Sequence, residues 1–256
     1  HEFTLAHWHQ RGAGLTYAAT PGNGGPLTID RMANDGIEVA EHLRRRLGAK
    51  KIILIGHSWG TVLGTHMAQR RPDLFAAYVG TGQTNSLEDD GKDLFTNAMA
   101  RAVAASNTRA IDALTAVASL PPTDVHRMDV VRTWGKTEDL SDNRLLLFLG
   151  PLISPRYPVS GTFGLAGGFA SSRAALFPEE MRMRLERDVP ELQVPAFLFQ
   201  GRNDWQVSPG AAVRYFERLR APAKQTVLFD GGHFVHIFHS DALLAELTAR
   251  VKPLAR

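Results

Sequence analysis

The chain has 256 residues, 44% of them hydrophobic and 21% charged, with 29 basic against 26 acidic side chains and no cysteine. This composition excludes a disordered chain, a coiled coil and a collagen-like fibre, and the lack of cysteine excludes disulfide staples, thiol catalysis and thiolate metal sites. The net charge of +3 has one short basic cluster, Arg44, Arg45 and Arg46, which reads as a solvated helix face and not as a nucleic-acid surface.

Residues 3–9 read as a strand. Ile29, Met32, Ala33, Ile37, Ala40, Leu43 and Leu47 then recur at helical spacing, with Thr28 as N-cap and Gly48 as stop. Ile52-Ile53-Leu54-Ile55 is a continuous apolar run, the mark of a central parallel strand buried on both faces. A helix is expected over 61–71, ended by Pro72, and a strand over 76–79. The pattern β-α-β-α-β implies right-handed crossovers and a parallel sheet. From Asn85 to about Pro190 the chain shows helical stretches and breakers but no strand. Helices are expected around Phe95 to Val103, Ile111 to Leu120 and Met181 to Arg187. The longest apolar run there, 145–153, is interrupted by Gly150 and Pro151 and is shorter than the ~18 residues that span a bilayer. Strands return at 196–200 and 225–229, each followed by a helical run, 211–219 and 242–251. The expected fold class is α/β: a mostly parallel sheet with helices on both faces and a helical cap insertion. The core is expected over 1–84 and 191–256 and the cap over 85–190.

Gly56-His57-Ser58-Trp59-Gly60 is a G-x-S-x-G motif set between a buried strand and a helix, the context that a nucleophile elbow needs. The turn strains Ser58 and lifts its hydroxyl above the strand end, and side chains in place of the two glycines are expected to collide with neighbouring elements. The N-terminus of the following helix offers free N–H groups, with the Trp59 N–H as one donor to a developing oxyanion. A serine hydroxyl needs a base, and on such a sheet the partners follow in the order Ser, acid, His. Asp204 comes directly after the strand 196–200, and His233 directly after the strand 225–229. These two loops open on one edge of the sheet, so His233 is the expected base and Asp204 its orienting acid. Asp230 is the competing acid; His236 and His239 compete with His233. His57 reads as pocket lining or packing and His66 as structural. A zinc site at His233, His236 and His239 lacks a carboxylate to complete a familiar signature.

Trp8-His9-Gln10-Arg11-Gly12-Ala13-Gly14, the Ser58 elbow and Gly80-Thr81-Gly82-Gln83 together resemble the proline iminopeptidase-like branch of the α/β-hydrolases. Gly201-Arg202-Asn203-Asp204 and Gly232-His233-Phe234 resemble that superfamily's acid and base segments. The resemblance implies a serine hydrolase with a helical cap over the site and no cofactor. His9 stands where the family has an Asp. The family's oxyanion turn, a His-Gly-Gly-Pro-like sequence, precedes the strand that here opens the chain; Gly24-Gly25-Pro26 comes after that strand and reads as a loop. Trp134 is followed by Gly135 instead of the Glu expected in a true proline iminopeptidase.

The expected activity is therefore hydrolysis of small carboxylic esters or amides through an acyl-enzyme on Ser58. An aminopeptidase is the alternative, and a non-catalytic binding module or incomplete fragment a second one. An aminopeptidase needs carboxylates for the substrate ammonium, and Glu88, Asp89, Asp90, Asp93, Glu138, Asp139, Asp142, Glu179 and Glu180 are available. Of the aromatics Phe95, Trp134, Phe148, Tyr157, Phe163, Phe169 and Phe177, some are expected to line an apolar pocket and most to pack the cap. The expected partner is a small ester, amide or short peptide, with no nucleic acid and no membrane, and the location cytoplasmic. A further segment of ~50–70 residues, on the same or another chain, is expected to pair with the Ile52 strand and bring a second oxyanion donor, since sheets of this type run to about eight strands.

Overall fold

The computed structural model describes residues 2–20, 24–136 and 159–255. Its sheet holds β1 (Ile52–His57), β2 (Phe75–Thr81), β3 (Ala196–Gly201) and β4 (Lys224–Phe229), all parallel and in the order β1-β2-β3-β4. The helices before β1 are α1 (Gly14–Ala19) and α2 (Ile29–Leu47); α3 (Trp59–Arg70) joins β1 to β2. Between β2 and β3 come α4 (Leu87–Ala104), α5 (Thr108–Ala116), α6 (Val125–Trp134), α7 (Val159–Glu180) and α8 (Leu185–Asp188). After β3 come α9 (Pro209–Arg218), then, beyond β4, α10 (Val235–Phe238) and α11 (Ser240–Glu246).

The start and stop signals of α2 act as the sequence implies. Thr28 Oγ1 accepts the Arg31 N–H at 3.1 Å, and Gly48 ends the helix at φ 63°, where a side chain is strained. In β3 alternate residues feed opposite layers. Ala196 and Leu198 join a core with Met32, Leu63 and Tyr215 from the helices on one face, while Phe197 and Phe199 join Phe229, Val235 and Val251 on the other. A third cluster, built on Leu94, Ala98, Leu114 and Val131, lies wholly within α4 to α6. Among the described residues no helix is long and apolar enough to cross a membrane.

Several expectations are corrected. Residues 3–9 form no strand; Phe3 packs on the second core cluster, but Leu5 stays 68% exposed. A strand exists only by pairing, and its apolar residues do not say whether a neighbour is available. The Ile52 run is the expected strand; among the described residues β2 pairs with one side of it and no strand with the other, and Ile55 is 42% exposed. β2 and β3, buried along their whole length, are the central strands. Residues 181–187 are a turn followed by the single-turn α8, because the preceding helix α7 runs on through Pro178 to Glu180. Helices α6 and α7 were not anticipated. The helix expected over 242–251 starts at Ser240 and passes into a π-turn at Leu247–Val251. The run 145–153, Glu138, Asp139, Asp142, Phe148 and Tyr157 lie outside the described residues.

Parallel pairing brings the C-terminal ends of the strands to one edge, with His57 level with Thr81 and Gly201 level with Phe229. The loops after β1, β3 and β4, which carry Ser58, Asp204 and His233, therefore open together.

Candidate active site

Ser58 sits between β1 and α3 at φ 51° and ψ −122°. This is backbone that L residues rarely adopt. Three hydrogen bonds hold it: the Ser58 N–H donates to Thr81 O at 2.9 Å, and the Thr61 N–H and hydroxyl donate to Ser58 O at 2.8 and 2.6 Å. The elbow's glycines are unequal. A Cβ at Gly56 would lie 2.5 Å from Gly60 O, so that glycine is demanded by a backbone-to-backbone approach, whereas a Cβ at Gly60 would meet nothing within 4 Å. The expectation of a collision at Gly60 is thus corrected. Trp59 is the first residue of α3, and its N–H finds no acceptor among the described residues. Its indole donates to Gln10 Oε1 at 3.1 Å.

Asp204 and His233 meet. His233 Nδ1 lies 2.8 Å from Asp204 Oδ2, with the His233 side chain 3% exposed and that of Asp204 fully buried. Gln200 Nε2 also donates to Oδ2 at 3.0 Å, and the Gln206 and Val207 N–H groups donate to Oδ1 at 2.9 and 3.1 Å. Four donors on one carboxylate fix its plane, and an acceptor at Nδ1 assigns the proton there, leaving Nε2 as the basic nitrogen. Gly82, at φ 55°, makes room for the ring: a Cβ would stand 2.8 Å from His233 Cε1. A Cβ at Gly201 would stand 2.1 Å from Gly232 O, so the acid and base loops also approach backbone to backbone. Asp230, by contrast, is exposed and only receives the Asn203 amide at 3.4 Å.

His57 packs on His233 and His236, at ring-centroid separations of 4.7 and 4.1 Å, and shares a 3.0 Å hydrogen bond with Thr81 Oγ1. Burial, with the two neighbouring imidazoles, pushes its pKa well below the usual histidine value; burial likewise pushes His236 down to about 4. Both are neutral packing groups. His239 lies against Gly231, and among the described residues no cluster of three His, Asp or Glu side chains is arranged to hold a metal ion. Among the described residues no hydrogen bond joins Ser58 Oγ to His233; such contacts are commonly long until substrate is bound.

Ser58 and Trp59 stand at a cavity of about 710 Å³, walled by α4, α6 and α7 and also by Gln10, Met32 and the loop residues Gln206 and Val207. Met32, Leu94, Met128, Val131, Leu176 and Phe177 make much of it apolar. Phe169 also lines it, while Phe95 and Trp134 pack into the third cluster. Of the described carboxylates available for an ammonium, only Asp90 and Glu180 reach the cavity. Glu88 pairs with Lys92 and Arg184, Asp89 bonds to Ser86 and Asn85, Asp93 pairs with Arg214, and Glu179 accepts the first amide of α2 at 2.7 Å. Both Asp90 oxygens are taken up by protein donors, Thr84 Oγ1 at 2.5 Å and the Ser208 N–H at 2.8 Å. Glu180, its pKa raised by burial, makes no such bond among the described residues. Sequence reasoning overlooked Gln200, Thr84 and Ser208; nothing local distinguishes them from ordinary polar residues.

Residues 10–240 match the family model described as the alpha/beta hydrolase fold, and the chain belongs to that family of hydrolases. It is 29% identical over 243 residues to a probable aminopeptidase, YbaC, of Bacillus subtilis (strain 168), covering 92% of this chain and 76% of that protein. Among solved structures it is similar to VinJ, with a TM-score of 0.55 and 18% identity over 97% of this chain and 80% of that one. It is similar also to a proline iminopeptidase of Mycobacterium smegmatis, with a TM-score of 0.51 and 14% identity over 86% and 72% of the two chains. The type II thioesterase BorB, from the borrelidin biosynthetic cluster, has a TM-score of 0.51 and 21% identity over 96% and 79%. At these identities the solved structures share the fold.

Proposed function

We propose that the protein is a serine hydrolase of small carboxylic esters or amides. The observation that carries this reading is the buried His233–Asp204 pair, opening on the same sheet edge as the strained Ser58. In the proposed reaction Ser58 Oγ attacks the carbonyl carbon while His233 Nε2 takes its proton. The oxyanion of the tetrahedral intermediate is stabilised by the Trp59 N–H, and Asp204 stabilises the imidazolium. Collapse breaks the bond to the leaving group, which receives the proton from His233. Water then attacks the acyl-enzyme with His233 again as base, releasing the acid and restoring Ser58. The helices between β2 and β3 act as a cap that selects the acyl group. A further strand pairing along the open edge of β1, from the same or another chain, would bring a second oxyanion N–H; the support is that apolar edge, with Ile55 exposed.

An alkyl fluorophosphonate should add to Ser58, and p-nitrophenyl butyrate should be turned over. Labelling elsewhere, with the Ser58→Ala variant still active, would end the proposal. A second reading, aminopeptidase, is favoured by Glu180 in the cavity wall and by the name of the Bacillus subtilis relative. Acetylating the amine of a prolyl-arylamide decides between them. An esterase is indifferent to the amine, whereas an aminopeptidase loses turnover because its carboxylate is left without a partner.

A further inference from the structure

A closed ring of buried polar groups surrounds the acid loop. From Asp204, Gln200 leads to the Gln83 N–H at 3.0 Å. Thr84, the next residue, donates its hydroxyl to Asp90 Oδ2 at 2.5 Å, and Asp90 Oδ1 accepts the Ser208 N–H at 2.8 Å. Ser208 follows directly on Val207, whose N–H closes the ring on Asp204. Asp90 is 3% exposed and stands on the first turn of α4, so it is one point where the helical segment between β2 and β3 grips the loop 204–208, beside Arg132 of α6, whose Nη2 donates to Gln206 O at 3.4 Å. One turn further along α4, Asp93 Oδ2 adds a second grip, accepting from Ser208 Oγ at 2.6 Å and from Arg214 Nη2 at 2.9 Å. A carboxylate offers Oδ1 to the Ser208 N–H and Oδ2 to the Thr84 hydroxyl, whereas an amide has one acceptor oxygen for the two, so both donors are met at the cost of burying an ionisable group.

We propose that Asp90 is a positioning residue, which holds the Asp204 loop on α4 and so sets the geometry and charge of the Asp204–His233 pair. The proposal rests on Asp204 acting as the acid of the catalytic set. Burial pushes the Asp90 carboxyl up to about 7, with the nearby Asp204 carboxylate adding to the rise and the Thr84 and Ser208 hydrogen bonds and Arg132 opposing it. The charged groups around it are Asp204 on the loop after β3, Arg132 on α6, Asp93 on its own helix, Arg214 on α9, and Arg173 and Glu180, which line the same cavity from α7. Asp90 thus titrates in the range where a hydrolase works. Ionised, it adds negative charge next to the Asp204 carboxylate, and through that pair favours the imidazolium formed on the way to the transition state.

The test compares Asp90→Ala and Asp90→Asn in the full chain, with p-nitrophenyl butyrate from pH 5 to 9. Removing the grip should lower kcat on the order of 10²-fold in Asp90→Ala, with KM little changed, because the base is misplaced and not the substrate. Asp90→Asn keeps the Ser208 N–H on its amide oxygen and can donate its NH2 to Thr84 Oγ1, which turns from donor to acceptor, so most of kcat should return, while the acid limb of kcat/KM moves to lower pH for want of the negative charge. Amide exchange reads the grip without reference to turnover: residues 206–208 should exchange faster in Asp90→Ala and stay protected in Asp90→Asn. Unchanged exchange and kcat in Asp90→Ala, or an Asn variant as impaired as the Ala variant, would overturn the proposal. So would an Asn variant with the parent pH profile. If Ser58 takes no fluorophosphonate in the parent protein, the catalytic reading fails, and the exchange experiment still decides whether Asp90 holds the loop.

Discussion

On the acid–base side of the site, the buried Asp204 accepts from His233, Gln200 and two backbone amides, and its loop is gripped by Asp90 from outside. On the nucleophile side, Ser58 Oγ is held by none of the described hydrogen bonds and faces an open cavity, and only its backbone is constrained. One half is set by saturated hydrogen bonding, the other by strain and close backbone approach. The difference teaches where each half is vulnerable. A buried polar network fails when one side chain is deleted, since every partner left behind carries a desolvation cost. A strained turn tolerates loss of the side chain it displays but not an added Cβ where two backbones touch.

The largest effect should come from the displayed group. Ser58→Ala should lower kcat by roughly 10⁴-fold or more while the melting temperature holds, because the hydroxyl makes no hydrogen bond among the described residues. Esterase assays alongside thermal denaturation check both halves of that statement.

Next comes the buried acid. Asp204→Asn should lower kcat on the order of 10⁴-fold by favouring the wrong imidazole tautomer, and unlike Ser58→Ala it should also destabilise the fold. Asp230→Asn, at an exposed position, should leave both quantities nearly unchanged. A reversed ranking would move the acid role to Asp230.

A third effect is on stability alone and depends on pH. The Asp90 carboxyl is raised from 3.8 to about 7 in the folded protein. Below the lower value both states hold the proton and nothing is lost. As pH rises between the two values the unfolded chain ionises first, so stability drains away, by about 1.4 kcal/mol per unit and about 4 kcal/mol in all. Above pH 7 the penalty is constant. Asp90→Asn should therefore gain on the parent protein in urea denaturation at pH 8 and not at pH 4; equal gains at both would dissociate the effect from ionisation.

Two glycine substitutions sharpen the comparison on the strained side. Gly56→Ala drives a Cβ against the Gly60 carbonyl and should cost about 2–4 kcal/mol with loss of activity. Gly60→Ala enters open space within α3 and should change stability by less than about 1 kcal/mol, in the favourable direction. Chemical denaturation of the pair checks whether the two glycines of the motif have different reasons to be there.

The sequence by itself determined the elements whose signals are local. Thr28 and Gly48 bound α2 because a cap and a left-handed stop act within a few residues. The Ser58 elbow was legible because strand, turn and helix are contiguous. Chain order put Asp204 and His233 after successive parallel strands, which made their meeting at 2.8 Å foreseeable. What only the tertiary structure decided are pairings between distant segments. Apolar residues over 3–9 announce burial of a face but not a neighbour along the edge, so they form no strand, and those over 52–55 have a strand beside them on one side alone among the described residues. Asp204 and Asp230 look alike as residues after strands, and burial within reach of Gln200 separates them, a contact set by the packing of two loops. Asp90 reads as one of several acids at a helix start; only the fold brings it against Ser208, 118 residues away, where the loss of water changes its chemistry.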